Sequence, residues 1–243
     1  MNSKNRFPST HFIRRSDVLF FSCGALMLAS EIWKQLTLTF AVGHGAYIWW
    51  YFPFQLCSIP MYVLLAYPWL GRGNLRLSAL VFLMCYCLLG GVAAFADTSG
   101  LHYPLRSLTL HSYLWHVLLI ALGIGAGCTY LHCLSCERKK TLFSRSLTRA
   151  FPLRPFVYST CLYLACCLTA VLLNLALDRY GTINMFYINP DYEMQQIVFR
   201  DLIPILGNGG TILLYIGSTV LGAFILFLIW KRIFLARSFL THH

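Results

Sequence analysis

The chain has 243 residues, of which 58% are hydrophobic and 11% charged, well under the quarter usual for soluble domains. With a mean hydropathy of +0.64 and apolar stretches of about 20 residues recurring along its length, it is not a soluble enzyme. The net charge of +11 would suit a nucleic-acid partner, but the cations gather in alternate loops, which is the signature of membrane topology.

The composition predicts an all-α, polytopic helical bundle: one integral membrane domain over residues 1–243, with six spans at about 17–39, 46–70, 75–97, 105–131, 156–177 and 211–230. In the first, Arg14-Arg15 followed by the apolar run from Val18 to Ala29 resembles a signal peptide. Glu31, Trp33 and Lys34 carry the pattern on to an interface, so an uncleaved helix is expected. The second span is the most irregular, with Pro53, Pro60 and Pro68; each removes a backbone donor and frees a carbonyl that must find a partner inside the protein. Pro60 is expected to bend this helix one turn from Cys57. The fifth span carries no charge from Phe156 to Leu177.

Orientation follows from the 19 Lys and Arg. With the N-terminus inside, Lys4, Arg6, Arg14, Arg15, Arg72, Arg76, Arg138, Lys139, Lys140, Arg145, Arg149, Arg154, Lys231, Arg232 and Arg237 are cytoplasmic. Only Lys34, Arg106, Arg179 and Arg200 are outside. Both termini are then expected in the cytoplasm and the protein in the cell membrane. The longest outer segment, 178–209, mixes charges with Phe186, Tyr187, Ile197 and Phe199, as either an ordinary amphipathic loop or a lid on the bilayer surface would.

Most of the ten cysteines lie in apolar spans, where thiols commonly serve as small hydrophobes. Cys133-Leu134-Ser135-Cys136 is a CxxC without a second pair, which is weak evidence for zinc. There is no P-loop, no GxGxxG and no HExxH. No metal or other cofactor is expected and no nucleic acid; membrane lipids are the expected partners, with a homo-oligomer left open.

Ionisable groups inside a span are functional candidates by default. They concentrate in one leaflet. Cys57 lies about ten residues below the start of its span and His116 about thirteen below Tyr103, depths of roughly 15 and 20 Å at 1.5 Å per residue. Glu31 and Gln55 belong to the same half, with His111 and Asp97 nearer the outer surface. His111 and His116 are five residues apart, about 140° around a helix, so depth favours His116 as the partner of Cys57. The chemistry of a cysteine nucleophile needs a thiolate; in lipid, a thiol without an imidazole beside it is inert. A Cys–His pair can accept an acyl group and pass it to water or an alcohol without metal or diffusible cofactor.

At these residues the chain resembles the YwaF / transmembrane protein 164 family of six-span membrane proteins. The matching stretches are Phe52-Pro53-Phe54-Gln55-Leu56-Cys57, Tyr113-Leu114-Trp115-His116-Val117 and Gly181-Thr182-Ile183-Asn184-Met185-Phe186. The resemblance implies acyl transfer on membrane lipids, or hydrolysis of lipid esters, with Cys57 as nucleophile and His116 as base. Many members carry His two residues before the Cys, where this chain has Gln55, a side chain able to donate to an oxyanion. Glu31 is a candidate to orient a histidine, and His111 and Asn184 are supporting candidates. Two other readings stay open: a lipid- or solute-binding protein or transporter whose polar cluster lines a cavity, and an assembly partner of another membrane protein.

Overall fold

The computed structural model describes residues 10–71, 73–140 and 151–240. Among these the fold is all-α, without a strand. Five helices are long and apolar enough to cross a bilayer: Arg15–Val42, Asn74–Ala96, Arg106–Cys136, Arg154–Tyr180 and Ile203–Arg237. Each exceeds the roughly 20 residues needed for a 30 Å hydrocarbon core, and the chain is an integral membrane protein. They are built from α1 (Thr10–Thr37), α3 (Asn74–Phe82) continued through a π turn by α4 (Leu88–Ala96), α5 (Arg106–Lys140), α6 (Arg154–Leu177) and α8 (Ile203–Leu240). Of the cations used to orient the chain, Lys4, Arg6, Arg72, Arg145 and Arg149 lie outside the described residues.

The expected second span departs from the pattern. In place of one helix over 46–70 there is a short 3-10 turn at Trp49–Tyr51, an irregular stretch to Ser58, then α2 (Ile59–Ala66) and another 3-10 turn at Tyr67–Trp69. The prolines are the reason. Pro60 sits in the first turn of α2, where its missing N–H costs nothing, so it begins a helix instead of bending one. Pro53 lies where the backbone is already extended, since Phe52 has ψ 134°, as the residue before a proline prefers. The contiguous apolar helix here is only Ile59–Trp69.

The core is aromatic. Tyr86 stacks on Phe82, Phe156 and Tyr163, with centroids 5.3, 6.5 and 4.9 Å away. The π turn at Leu83–Cys87 interrupts the regular bonding of its helix, and Trp230 on α8 donates its indole N–H to the Met84 carbonyl at 3.2 Å. Close approach of α4 to α5 depends on Gly91: a Cβ there would stand 3.1 Å from the Ile120 nitrogen and 3.2 Å from the His116 carbonyl oxygen. Small residues at a helix interface bring membrane helices into such contact. At the opposite end of the bundle an Asp17–Arg76 ion pair ties α1 to α3, and the Arg76 guanidinium lies 4.2 Å above the Tyr67 ring.

Between α6 and α8 the chain is compact. Phe186 and Tyr187 both have φ of +58°, a left-handed conformation uncommon for bulky residues. Asn174 holds this turn, accepting from the Met185 N–H at 2.7 Å and donating to the Met185 carbonyl at 3.2 Å. Asn189 donates to the Ile183 carbonyl at 2.7 Å. The short helix α7 (Ile197–Arg200) follows, and Phe199 packs edge-on against Tyr215 of α8 at 5.3 Å.

Candidate active site

An irregular backbone inside a helical bundle exposes polar groups that a helix would have paired internally, and neighbours must satisfy them. Here the partners come from three helices. Gln35 of α1 donates to the Tyr51 carbonyl at 2.7 Å, Tyr62 of α2 to the Pro53 carbonyl at 2.8 Å, and Trp115 of α5 to the Cys57 carbonyl at 3.0 Å. The Gln55 carbonyl accepts from the Ser58 and Ile59 N–H groups at 2.8 and 3.3 Å. Cys57 is thus held on a fixed, non-helical segment, one residue before the Ser58 N-cap of α2.

His116 arrives from α5, where its Nδ1 lies 2.8 Å from the Ser112 carbonyl oxygen one turn earlier. A carbonyl only accepts, so Nδ1 carries a proton and, in the neutral ring, Nε2 keeps its lone pair. The imidazole and the Cys57 thiol line the same cavity, close enough to interact electrostatically. The two residues chosen from depth and helical phase share the wall of one cavity, with Cys57 on an unwound segment.

The four supporting candidates sit differently. Gln55 donates to the Asn184 carbonyl at 2.9 Å and accepts from the Phe186 N–H at 2.7 Å, so its amide clamps the strained turn. Asn184 is buried and its Oδ1 accepts from the Asn189 N–H at 3.0 Å. Glu31 is also buried; it pairs with Lys34 at 2.8 Å and accepts from Gln35 at 2.7 Å. Neither histidine hydrogen-bonds to Glu31: the orienting acceptor for His116 is the Ser112 carbonyl. The His111 ring lies between Trp33 and Trp115, at 5.6 and 5.5 Å, and both its nitrogens are buried without a hydrogen-bond partner.

Cys57 and His116 open onto a cavity of about 620 Å³, within the range of small-molecule pockets. Lys34, Gln55, Tyr103, Tyr187 and Gln196 share its wall, and Leu56, Leu89, Gly90 and Ala94 supply apolar surface. Burial pushes the Tyr187 phenol up to about 12, against a hydrogen bond to Gln196, and burial likewise pushes Tyr103 up. Both remain neutral O–H donors at working pH. At the rim, hydrogen bonds from Ser99 hold the Asp97 carboxyl below its ordinary range, with the Ile197 N–H and the Arg200 charge adding to the effect. The Ser99 N–H to Asp97 Oδ1 distance is 3.0 Å. Gln195, Gln196 and Phe199, in and just before α7, line the same cavity.

Tyr187, Trp115, Gln35 and the Ser112 carbonyl were not singled out for these roles by the sequence. A proline-broken apolar span signals a need for side-chain donors, but their identity depends on which helices touch. Near the opposite end of α5, Cys136 and His132 lie 3.5 Å apart; no group of three or more His, Cys, Asp or Glu among the described residues could hold a metal there or elsewhere. Chemically, the arrangement offers a nucleophile, a base of defined tautomer, neutral donors and an amphipathic cavity. No protein family, curated protein or solved structure matches the chain.

Proposed function

We propose that this protein is a lipid acyltransferase or lipid-ester hydrolase of the cell membrane, using Cys57 as nucleophile and His116 as base. The observation carrying this reading is that one cavity is lined by both Cys57 and the His116 imidazole, whose Nδ1 is committed to the Ser112 carbonyl. The resemblance of the segments around Cys57 and His116 to the YwaF / transmembrane protein 164 family supports the same chemistry.

In the first half-reaction, His116 Nε2 takes the thiol proton and the sulfur attacks an ester carbonyl carbon, forming the C–S bond. The tetrahedral oxyanion accepts hydrogen bonds from a neutral donor such as Tyr187 or Tyr103. The C–O bond then breaks, the leaving alkoxide takes the proton from the imidazolium, and a thioester remains on Cys57. In the second, water or an acceptor alcohol gives its proton to Nε2 and attacks the thioester. The C–S bond breaks and the sulfur recovers its proton, releasing an acid or a new ester. On the orientation expected from the charge bias, the cavity mouth faces outward and the substrate comes from the outer leaflet.

The test is covalent labelling in native membranes with a fluorescent activated-ester probe bearing an acyl chain. Wild type should label, and Cys57→Ala and His116→Ala should each abolish labelling. Labelling that survives both changes sinks the covalent mechanism. The cavity would also suit a non-catalytic lipid- or solute-binding protein or transporter; solute uptake by reconstituted protein that ignores the probe favours that reading.

A further inference from the structure

The cavity extends past Cys57 and His116 into the space between α4 and α8. Leu89, Gly90, Ala93 and Ala94 form one wall and Ser218 and Thr219 part of the other. The two helices run antiparallel, since Trp230 bonds to Met84 while Gly222 touches Leu89. At Gly222 they are in full contact: a Cβ there would stand 3.0 Å from Leu89 Cδ2. One turn on, toward the Asp97 end, the residues due to meet are Ala93 and Ser218, and both face the cavity. The helices therefore splay from a crossing at Leu89 and Gly222.

The splay opens sideways. Ala93 lines the cavity and is also exposed on the surface of the bundle. Its neighbours on that surface are the exposed Val92 and Phe95 of α4 and Leu214 and Leu221 of α8, on helices long enough to cross the bilayer. The far end of the same cavity is polar, with Asp97, Gln195 and Gln196. An opening rimmed by lipid-facing side chains, leading from an apolar wall past a thiol to a polar end, matches an amphiphile entering from the bilayer plane.

We propose that the α4–α8 cleft is a lateral port that admits one acyl chain of a bilayer lipid, and that Gly90 and Ala94 set how much chain it accepts. A side chain added at Gly90 would point into free space, its Cβ meeting only Leu56 at 3.9 Å, so that space is available to a ligand. The chemistry at Cys57 rests on the acyl-transfer reading, whereas entry of a chain is measurable without it.

The test uses the full-length Cys57→Ala protein, which cannot turn over, in phosphatidylcholine vesicles doped with a phosphatidylcholine carrying a diazirine in one acyl chain. After irradiation, adducts are mapped by mass spectrometry. Adducts should be enriched in segments 89–94 and 215–219 over the lipid-facing Leu172 and Leu175 of α6. Ala94→Phe should reduce that enrichment about tenfold with the α6 adducts unchanged, and Ala94→Ser should retain it. Adducts in 89–94 no more frequent than in α6, or indifferent to Ala94→Phe, overturn the port. If the enrichment is found but wild-type Cys57 never acquires an acyl group, the port stands and the transfer chemistry falls.

Discussion

At the scale of single residues, Cys57 and His116 are each held by one hydrogen bond while lining a common cavity. None of the nine further cysteines forms a disulfide among the described residues, and several are buried among apolar side chains as packing groups. His116 is fixed by the Ser112 carbonyl and Cys57 by Trp115, whose indole N–H holds the Cys57 carbonyl. Replacing His116 with Gln should lower acyl-probe turnover by about 10²–10⁴-fold, the range expected for loss of a general base. The thiol itself should stay reactive toward a small alkylating agent at high pH. Trp115→Phe keeps most of the packing and deletes one hydrogen bond, so the fold should lose about 1 kcal/mol. A larger fall in turnover than in thermal stability would show that the bond positions the nucleophile; equal falls would make Trp115 a packing residue only.

At the scale of elements, the unwound 52–58 stretch and the 183–189 turn act together, joined by Gln55. Asn174→Ala would leave the Met185 N–H and carbonyl without their side-chain partner, a loss of about 1–3 kcal/mol for buried polar groups. The left-handed Phe186–Tyr187 turn would lose its brace, so Tyr187→Phe and Asn174→Ala should impair turnover in the same way and not add when combined. The Asp97 carboxylate, beside α7 at the cavity rim, carries a pH dependence. Asp97 has its pKa lowered by Ser99, then by Ile197 and Arg200, so its bonds are present while it is ionised and vanish as pH falls through that lowered value. Hydrogen exchange over 195–200, taken relative to the intrinsic amide rate at each pH, should therefore be insensitive to pH above about 4, the ordinary Asp range, and rise only below it. Asp97→Asn should raise it at neutral pH. Five of the six spans were readable because about 20 apolar residues between charged ends is a constraint of the bilayer itself. The second was not, because a run of that composition also accommodates a broken helix once Gln35, Tyr62 and Trp115 satisfy the backbone. Depth and helical phase were enough to put Cys57 and His116 on one cavity, but they could not show that Gln55 clamps a loop or that Glu31 binds Lys34 instead of a histidine; those choices depend on helix rotation and contact.

At the scale of the whole molecule, the open question with most consequence is which side the cavity mouth faces. The 97–103 loop, the 183–189 turn and α7 all lie at one end of the bundle, whereas the Asp17–Arg76 pair and the start of α6 lie at the other. Charge counting assigns the first end to the outside because Lys and Arg are retained on the cytoplasmic side during insertion. Single cysteines can report this directly, since Ser99, Arg179 and Arg154 are all exposed. In intact cells a membrane-impermeant maleimide should modify Ser99→Cys and Arg179→Cys, while Arg154→Cys should react only after permeabilisation. The unsubstituted chain, with its ten cysteines, provides the background to subtract. The reverse pattern would turn the molecule over, put Cys57 nearer the inner leaflet, and require the acyl donor and acceptor to be cytoplasmic. Labelling of Ser99→Cys from outside would instead restrict the chemistry to lipids of the outer leaflet, because the port between α4 and α8 opens in the same half of the bundle as that loop.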